Sequence, residues 1–436
     1  MWPPLQHRAR SSNEGRATRR LGAPRPGGRR LLAMAASLAV ALSVSTPVLG
    51  APGAEAAQAP GPPPSSFYVA PAHLAATAPG DILRTRVLSV GSAEDLSVTQ
   101  VLYRTTGQLG HPTVTAATVI TSKLAPRPTA VLSYQEAYDG LGPQCQPSYR
   151  LSSGLGALSQ VTSYLATGLV LVVPDYEGIH QEWTAGQEAG YETLDGIRAA
   201  EALLHLPLRT TKVGLVGYSG GAIATDYATE LAPRYAPGLD IAGAAEGGVA
   251  ANFAHVLKYV NGSAYWSGVI PMALVGLGRA FHIPLARYLS AYGTALTSAI
   301  AKDCLGSVAG HYPGLTYQRL FKPAYQDIFA VPVFKRIFGE MVMGRSGTPR
   351  APLFIGEGLS DGTGDGVMVA SDVQALARTY CQRGVTVQFH LYKGLDHNQA
   401  VAPFVAGALA FLAKALFGLP LANGCAAIPP TGATTS

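Results

Sequence analysis

Apolar positions change their spacing from one segment of the chain to the next. Runs rich in β-branched residues at 96–105, 115–121 and 129–134 predict strands. Leu169–Pro174 is an unbroken apolar run, which is typical of a strand buried on both faces of a parallel sheet. Residues 191–204 repeat their apolar positions with helical spacing instead. This alternation predicts an α/β fold, a mostly parallel doubly wound sheet with its site at the carboxyl ends of the strands.

The pattern changes over residues 250–350. This interval is apolar, punctuated by glycine and helical in its spacing at 273–277, 285–300 and 325–343. We interpret 250–350 as a helical cap inserted over the site, and an apolar cap predicts a long acyl chain as the ligand. The alternative is that the interval is simply more core.

Strand and helix patterns return after this interval. Residues 352–356 and 385–392 predict strands, residues 370–383 predict a helix, and a closing helix runs to residue 416. We therefore expect residues 67–436 to form one α/β domain with the cap as an insertion.

The first 56 residues differ in composition from the rest. Eight arginines and two glutamates there account for the whole net charge of +6, so the remainder is near neutral and has no basic patch for nucleic acid. An Arg-rich start, an apolar stretch at 31–44 and small residues at 54–56 predict a secretory signal peptide over 1–56. A Pro/Ala-rich linker over 57–66 follows.

The alternative to cleavage of this segment is an uncleaved N-terminal anchor, for which the apolar run is short. In both cases the body of the protein lies outside the cytoplasm, either secreted or associated with the cell envelope. Paired arginines in the leader hint at twin-arginine export.

Four cysteines, an even number in a chain that carries an export signal, predict disulfides. They are Cys145, Cys304, Cys381 and Cys425. Sequence alone leaves three pairings open, and four buried free thiols are the alternative. No two of them form a C-x-x-C pair, so we expect no zinc site.

The strongest chemical signal is the pentapeptide from Gly217 to Gly221, with Ser219 at its centre. It is a G-x-S-x-G nucleophile elbow, since an apolar run leads into it and a small-residue helical pattern follows. The turn exposes the serine oxygen to a base, and the outer glycines leave room for it. The N–H of Gly220 is then a candidate oxyanion donor. The alternative is a chance match in a chain with 50 glycines.

Candidate partners for Ser219 lie further along the chain. The order is serine, acid, histidine, each after a predicted strand, as in α/β-hydrolases. His397 would accept the serine proton, and an aspartate would fix the tautomer of the imidazole. We prefer Asp361 as the acid because it lies close to the strand end, three residues after Gly358. Asp365, which leads into the next helix, stays open as the alternative.

Further segments accompany this constellation along the chain. They are Phe67-Tyr68, Pro79-Gly80-Asp81-Ile82-Leu83-Arg84, Ser133-Tyr134-Gln135, Cys145-Gln146-Pro147-Ser148-Tyr149, Pro174-Asp175-Tyr176-Glu177-Gly178 and Leu194-Asp195-Gly196-Ile197-Arg198-Ala199. Together with the elbow, they resemble the secretory lipases of the fungal lipase-A type and their bacterial relatives. The loop with the two aspartates departs from the family pattern Asp-x-x-Val-Pro, since it is longer and has Val369 in place of the proline.

The resemblance implies an α/β-hydrolase fold, a helical cap, secretion, and a triacylglycerol lipase or carboxylic ester hydrolase without metal or cofactor. It also implies that the backbone of Asp139 supplies a second oxyanion donor beside Gly220. The cysteine positions of the family suggest the pairs Cys145–Cys304 and Cys381–Cys425.

We therefore predict a secreted serine hydrolase that cleaves lipid esters through an acyl-enzyme, as a monomer whose cap contacts a lipid surface transiently. A short-chain carboxylesterase or an acyltransferase on the same triad is the nearest alternative. A non-catalytic lipid-binding protein of the cell envelope is the alternative from another class, and it would not react with a fluorophosphonate.

Overall fold

The computed structural model describes residues 65–89, 95–125, 128–152, 165 and 167–430. The predicted signal peptide over 1–56 lies outside these residues, as does the predicted linker over 57–66 apart from its last two positions. In the described part of the chain, every helix is too short or too polar to cross a membrane.

One sheet of nine strands organises the described residues. The strands are β1 (Ile82–Leu88), β2 (Leu96–Thr106), β3 (Pro112–Ser122), β4 (Ala130–Gln135), β5 (Leu169–Pro174), β6 (Lys212–Tyr218), β7 (Asp240–Gly247), β8 (Leu353–Leu359) and β9 (Val387–Lys393). Their order is β1-β2-β3-β5-β4-β6-β7-β8-β9. The pairings from β1 to β5 by way of β2 and β3 are antiparallel, and those among β5, β4, β6, β7, β8 and β9 are parallel. The predicted mostly parallel sheet is confirmed.

Most helices of the described residues lie in the connections between strands, and the last one follows β9. They are α1 (Pro147–Ser152), α2 (Gly186–Leu203), α3 (Gly220–Tyr235), α4 (Phe253–Tyr259), α5 (Val269–Ala280), α6 (Ala291–Ala299), α7 (Tyr317–Leu320), α8 (Pro332–Glu340), α9 (Ala370–Gln382) and α10 (Val401–Leu416).

The central strands are buried on both faces because their side chains alternate between two hydrophobic cores. In β5, Val170 and Val172 belong to one core, whereas Leu171 and Val173 belong to the other. The helices α2 and α3 supply side chains to the first core, and α10 supplies them to the second. The unbroken apolar run of β5 follows from this double burial.

Two strands, β1 and β7, were not predicted from the hydrophobic pattern, and β7 shows the reason most clearly. It contains one β-branched residue, Ile241, among small and acidic ones. A Cβ on Gly243 would lie 2.9 Å from the Cβ of Ala415, and one on Gly247 would lie 2.5 Å from the Phe404 ring. Since α10 packs so closely on this strand, small residues replace the β-branched residues that mark other strands.

Residues 248–352, which we call the insertion, connect β7 to β8 and contain the helices α4 to α8. Helical structure is found in the interval where the sequence predicts it. Aromatic side chains join α4 to α8, with the ring centroids of Phe253 and Phe338 6.2 Å apart. The insertion begins at the carboxyl end of β7, which is the edge of the sheet where the elbow also lies.

Candidate active site

The elbow is a strained turn between β6 and α3. Ser219 has φ 56° and ψ −120°, an unfavourable conformation for a residue with a side chain. Its N–H donates to the carbonyl of Gly247, with N and O 2.8 Å apart, which fixes the turn to the end of β7. A Cβ on Gly217 would lie 2.1 Å from the Gly221 carbonyl oxygen, so the glycine before the serine is required by sterics.

Three side chains form a continuous chain of hydrogen bonds at this turn. His397 Nε2 lies 2.8 Å from Ser219 Oγ, and His397 Nδ1 lies 2.6 Å from Asp365 Oδ2. An ionised carboxylate only accepts, so Nδ1 carries a proton and Nε2 is free to accept the hydrogen of the serine hydroxyl. The sequence candidates Ser219 and His397 are thus brought together although they are 178 residues apart in the chain.

The backbone around His397 holds the ring in this position. The His397 N–H donates to the Asp365 carbonyl at 2.8 Å, and the Tyr218 hydroxyl donates to the His397 carbonyl at 2.6 Å. The Trp266 ring meets the imidazole edge-on with centroids 5.5 Å apart. Only 5% of the imidazole side chain is exposed, so solvent has little access to it.

The Asp365 carboxylate is fully buried and well supplied with donors. Besides His397, the amides of Val367 and Met368 donate to its Oδ1 at 2.8 and 2.7 Å. Burial acts to raise the pKa of this carboxyl, but the neighbouring His397 charge and these hydrogen bonds lower it below its ordinary value. Asp365 is therefore built to remain an anion beside the imidazole.

Asp361, the acid that the sequence analysis prefers, lies elsewhere in the same loop. We call residues 360–369 the β8 loop. The Asp361 side chain is exposed, accepts a hydrogen bond from the Tyr259 hydroxyl at 2.7 Å, and closes a turn by accepting from the amides of Thr363 and Gly364. The expected contact with His397 is thus made by Asp365, which corrects the preference. The physical reason is that the loop continues past the turn of Asp361 before it turns inward.

The structure also brings Asp139 to the elbow, as the resemblance implies. A Cβ on Gly220 would lie 1.8 Å from Asp139 Oδ1, so the two residues touch. Gly220 is the first residue of α3, and its N–H therefore has no partner within the helix. Asp139 has a positive φ of 38° and lies in residues 136–145, which we call the β4 loop.

The Asp139 side chain is held away from solvent by Trp183. The indole N–H donates to Asp139 Oδ1 at 2.6 Å. Burial raises the pKa of the Asp139 carboxyl to about 6, although the Trp183 hydrogen bond and the His397 charge act to lower it. The adjacent Gly140 amide donates to Glu177 Oε2 at 3.1 Å, which fixes the next residue of the β4 loop.

Both predicted disulfides are present. Cys381–Cys425 joins α9 to the segment after α10, and Cys145–Cys304 joins the β4 loop to the insertion. Next to the second one, Gly140 and Cys304 form an isolated β-bridge, and the Leu305 amide donates to the Asp139 carbonyl at 2.9 Å. The backbone of Asp139 is therefore attached directly to the insertion.

Arg279 on α5 reinforces this attachment. Its guanidinium donates to the carbonyls of Leu141 in the β4 loop, His180 and Gln181 before Trp183, and Ala301 in the insertion, at distances from 2.6 to 3.1 Å. One side chain thus joins three segments around Asp139.

A narrow apolar cleft opens above Ser219, with about 490 Å³ of space that includes part of its open mouth. Its lining is almost wholly apolar, and half of the lining residues belong to the insertion. The residues are Asp139, Trp183, Thr184, Ser219, Gly220, Ile223, Ala250, Phe253, Val256, Leu257, Trp266, Val269, Ala273, Leu305, Val367 and Met368. Such a lining favours an apolar ligand group.

Sequence reasoning missed several residues around the site. Trp183, Trp266 and Arg279 belong to no motif, and their roles follow from contacts between distant segments. No local pattern separates the two aspartates, because Asp361 lies between Ser360 and Gly362 near the end of β8, and Asp365 lies between Gly364 and Gly366 before α9.

Comparisons with known proteins agree with this architecture. The profile of the family described as secretory lipase matches residues 156–424. The chain is 34% identical to a probable inactive lipase of Mycobacterium tuberculosis (strain CDC 1551 / Oshkosh), over 76% of each protein. It is 32% identical to Lipase A of Arthroderma benhamiae, over 83% of this chain and 82% of that protein.

Among solved structures, lipase A of Candida antarctica in its closed state superposes with a TM-score of 0.77 and 27% identity. The match covers 85% of this chain and 90% of that one.

Proposed function

Because the chain belongs to the secretory lipase family and is therefore a triacylglycerol lipase or carboxylic ester hydrolase, we propose that Ser219, His397 and Asp365 form its catalytic triad. The observation that carries this proposal is the pair of hydrogen bonds of 2.8 and 2.6 Å that link Ser219 Oγ through His397 to Asp365. Asp365 takes the role for which the sequence analysis preferred Asp361.

In the proposed reaction, Ser219 Oγ attacks the ester carbonyl carbon while His397 Nε2 accepts the hydroxyl proton. The amides of Gly220 and Asp139 donate to the oxyanion of the tetrahedral intermediate. As the intermediate collapses, the imidazolium returns the proton to the leaving alcohol, and an acyl-enzyme remains on Ser219. Water then attacks the acyl-enzyme, His397 again moves the proton, and the fatty acid leaves. Asp365 stabilises the imidazolium in both halves of the cycle.

We propose that the insertion acts as a cap that binds the acyl chain of a lipid ester. Phe253, Val256, Leu257 and Val269 of the insertion line the apolar cleft above Ser219, and a long acyl chain buries its methylene groups against them. The outer side of this cap would contact a lipid surface transiently. The substrate is then a triacylglycerol or a similar long-chain ester.

A serine-specific probe tests the nucleophile. A fluorophosphonate should label the wild-type protein on the peptide that contains Ser219, and Ser219→Ala should abolish both labelling and ester hydrolysis, by roughly 10⁴-fold or more. Ser298→Ala, an exposed serine on α6, is the matched control and should behave as wild type. Retained hydrolysis in Ser219→Ala overturns the proposed triad.

Chain length tests the substrate class. We expect p-nitrophenyl palmitate to be cleaved with a higher kcat/KM than the acetate, and Val256→Trp to lower the palmitate rate more than the acetate rate because it narrows the cleft. A preference for acetate supports a short-chain esterase instead. A product ratio in favour of a new ester when an alcohol is added supports an acyltransferase.

One specific observation favours a second candidate, a non-catalytic lipid-binding protein, because a relative is named a probable inactive lipase. The intact chain of hydrogen bonds at Ser219 supports catalysis in this chain. Failure of the fluorophosphonate to label Ser219 in the folded protein, together with lipid binding that survives Ser219→Ala, would support the second candidate.

We also propose that the protein is exported and acts as a monomer outside the cytoplasm. The secretory lipase family and the two disulfides support export. N-terminal sequencing of protein from the culture medium tests cleavage within or at the end of residues 1–56, and retention in the envelope fraction supports an uncleaved anchor. Light scattering after gel filtration tests the monomer.

A further inference from the structure

We propose that Glu357 is a positioning residue of the active site, a neutral carboxylic acid whose hydroxyl donates a hydrogen bond to the Asp365 carboxylate. The inference rests on the triad proposed above and extends it by one residue. Glu357 lies on β8 and is fully buried. A buried carboxyl without an assigned role requires a physical account, because burying a charge is costly unless the charge is paired.

The two carboxyl oxygens of Glu357 have different surroundings. Oε2 accepts the Val249 amide at 3.0 Å, at the point where β7 passes into the insertion. Oε1 is inaccessible to solvent and meets no donor among the described residues. The Asp365 carboxylate lies within hydrogen-bonding reach of the Glu357 carboxyl. Two carboxylates cannot hydrogen-bond to each other, since both only accept. A hydrogen bond forms between these two groups only if one of them carries a proton.

The β8 loop packs directly on β8 next to Glu357. A Cβ on Gly358, the residue after Glu357, would lie 2.8 Å from the Cβ of Asp365. The absence of a side chain at Gly358 therefore lets Asp365 approach the strand. Gly356, on the other side of Glu357, accepts the Gly248 amide at 3.0 Å, so the strand cannot move away easily.

The proton belongs on Glu357 because the donors are unequal. Asp365 receives three hydrogen bonds, from the His397 ring and from the amides of Val367 and Met368. Glu357 receives amide donors alone and has no cation beside it among its contacts in the described residues. Adjoining carboxyl groups do not both ionise, so the better-solvated one is the anion.

The pKa directions agree with this assignment. Burial, and then the negative charge of Asp365, raise the pKa of Glu357 well above its ordinary value, whereas the pKa of Asp365 is lowered. The other titratable groups near this pair include His397, Tyr218 and Tyr259. Burial raises the pKa of both phenols, and the negative charge of Asp365 acts in the same direction. Tyr218 therefore stays neutral and does not compete for the proton.

A donor on this side of Asp365 has two consequences for His397. It occupies the fourth acceptor position of the carboxylate, so the carboxylate cannot rotate away from the imidazole. It also disperses the negative charge of Asp365, so that less of this charge acts on the imidazole ring of His397.

Two variants separate a hydrogen-bond donor from a packing role. Glu357→Gln keeps an oxygen for the Val249 amide and places an N–H toward Asp365, whereas Glu357→Met has a similar volume and no donor. We expect Glu357→Gln to keep kcat/KM within about threefold of wild type. We expect Glu357→Met to lose about ten- to a hundredfold and to move the acid limb of the pH profile to higher pH.

The direction in which Glu357→Gln moves the acid limb of the pH profile shows whether Glu357 is protonated in the native enzyme. If Glu357 is an anion in the native enzyme, replacing it by an amide removes a negative charge near His397 and moves the acid limb to lower pH, which overturns the proposal. Equal losses in both variants without a shift of the limb also overturn it, because they indicate packing alone.

An infrared measurement gives a readout that does not depend on activity. The difference spectrum between wild type and Glu357→Gln at neutral pH should contain the band of one protonated carboxyl, and its absence overturns the proposal. This outcome is distinct from failure of the triad itself, which the Ser219→Ala variant reports. Thermal melting of both variants checks that they are folded.

Discussion

The β8 loop carries two aspartates in opposite environments. Asp361 is exposed, and its partners are a tyrosine hydroxyl and the amides of its own turn. Asp365 is fully buried, and its partners are His397 and two amides on the far side of the loop. For both, hydrogen bonds lower the pKa against the opposing effect of burial. Low pKa alone therefore does not identify the acid, whereas burial against an imidazole does.

Asp361 and Asp365 also differ in the free-energy cost of losing a hydrogen-bond donor. An exposed carboxylate that loses a donor regains water, so the change in free energy is small. A buried carboxylate that loses a donor keeps its charge in a medium that solvates it poorly, so the cost is several times larger. The same substitution should consequently have very different effects at the two positions.

The largest effect is expected for Asp365→Asn. The amide removes the charge that stabilises the imidazolium and offers an N–H where an acceptor is needed, which favours the wrong imidazole tautomer. We predict a fall in kcat of about 10³- to 10⁴-fold. Steady-state hydrolysis of a p-nitrophenyl ester measures it, with circular dichroism to check folding.

Asp361→Asn is the matched control for that variant. It keeps the acceptor oxygen for the turn amides and should change kcat by no more than about twofold, because its contacts lie away from His397. A collapse of the rate in Asp361→Asn with a mild effect in Asp365→Asn would reverse the assignment of the acid.

Trp183→Phe tests how much the indole hydrogen bond stabilises the buried carboxyl of Asp139. Loss of the indole N–H leaves Asp139 Oδ1 buried without its donor, and the β4 loop should shift to rehydrate it. We predict that kcat falls about tenfold and that the free energy of unfolding falls by about 1–3 kcal/mol. Kinetics and urea unfolding report the two effects. Tyr265→Phe, an exposed aromatic in the insertion, is the control and should leave both unchanged.

The pH dependence of stability tests whether the buried carboxyl of Glu246 is protonated in the folded protein. Burial, and then the negative charge of Glu230, raise the pKa of Glu246 on β7 to about 8, although a hydrogen bond with Asp226 acts to lower it. The folded state thus binds a proton that the unfolded chain releases above pH ~4.5, so this contribution to stability is complete below that pH and is lost as pH rises toward 8.

We accordingly predict that Tm falls by about 2–5 °C between pH 5 and pH 8, and that Glu246→Gln flattens this fall. Differential scanning calorimetry at several pH values measures it. Glu340→Gln, which changes an exposed glutamate, should retain the wild-type slope. A Tm that rises over this range would contradict the assignment of buried protons.

The smallest effect is expected for Tyr259→Phe. It removes the hydroxyl that donates to Asp361 at 2.7 Å and accepts the Gly366 amide at 3.1 Å, at a site where water can replace it. We predict a loss of less than about 1 kcal/mol in unfolding free energy and no change in kcat. A clear loss of activity would mean that this hydroxyl holds the β8 loop in the position that Asp365 requires.

The sequence predicts those parts of the fold and the site that depend on local patterns. The elbow at Ser219 requires glycines at fixed positions, and His397 follows the last strand, so the sequence indicates both residues, which the structure brings into contact. β7 was missed because close packing against α10 selects glycine and alanine there in place of β-branched residues.

The acid and its surroundings depend on contacts between distant segments. Whether Asp361 or Asp365 turns inward is decided by how the β8 loop packs on Gly358 and His397, and neither contact leaves a local pattern. In the sequence, Glu357 is simply one acidic residue within a predicted strand. Its place near Asp365 depends on the pairing of β7 with β8.

The covalent and hydrogen-bonded junction between the β4 loop and the insertion limits how this enzyme can be recombined with its relatives. A chimera that exchanges residues 248–352 alone would bring in a foreign partner for Cys145 and for the Asp139 carbonyl. The exchange should therefore also include residues 136–145 of the same relative, so that the β4 loop and the insertion come from one parent. A chimera made in this way takes the insertion's part of the cleft lining and the position of the Asp139 backbone from the same parent.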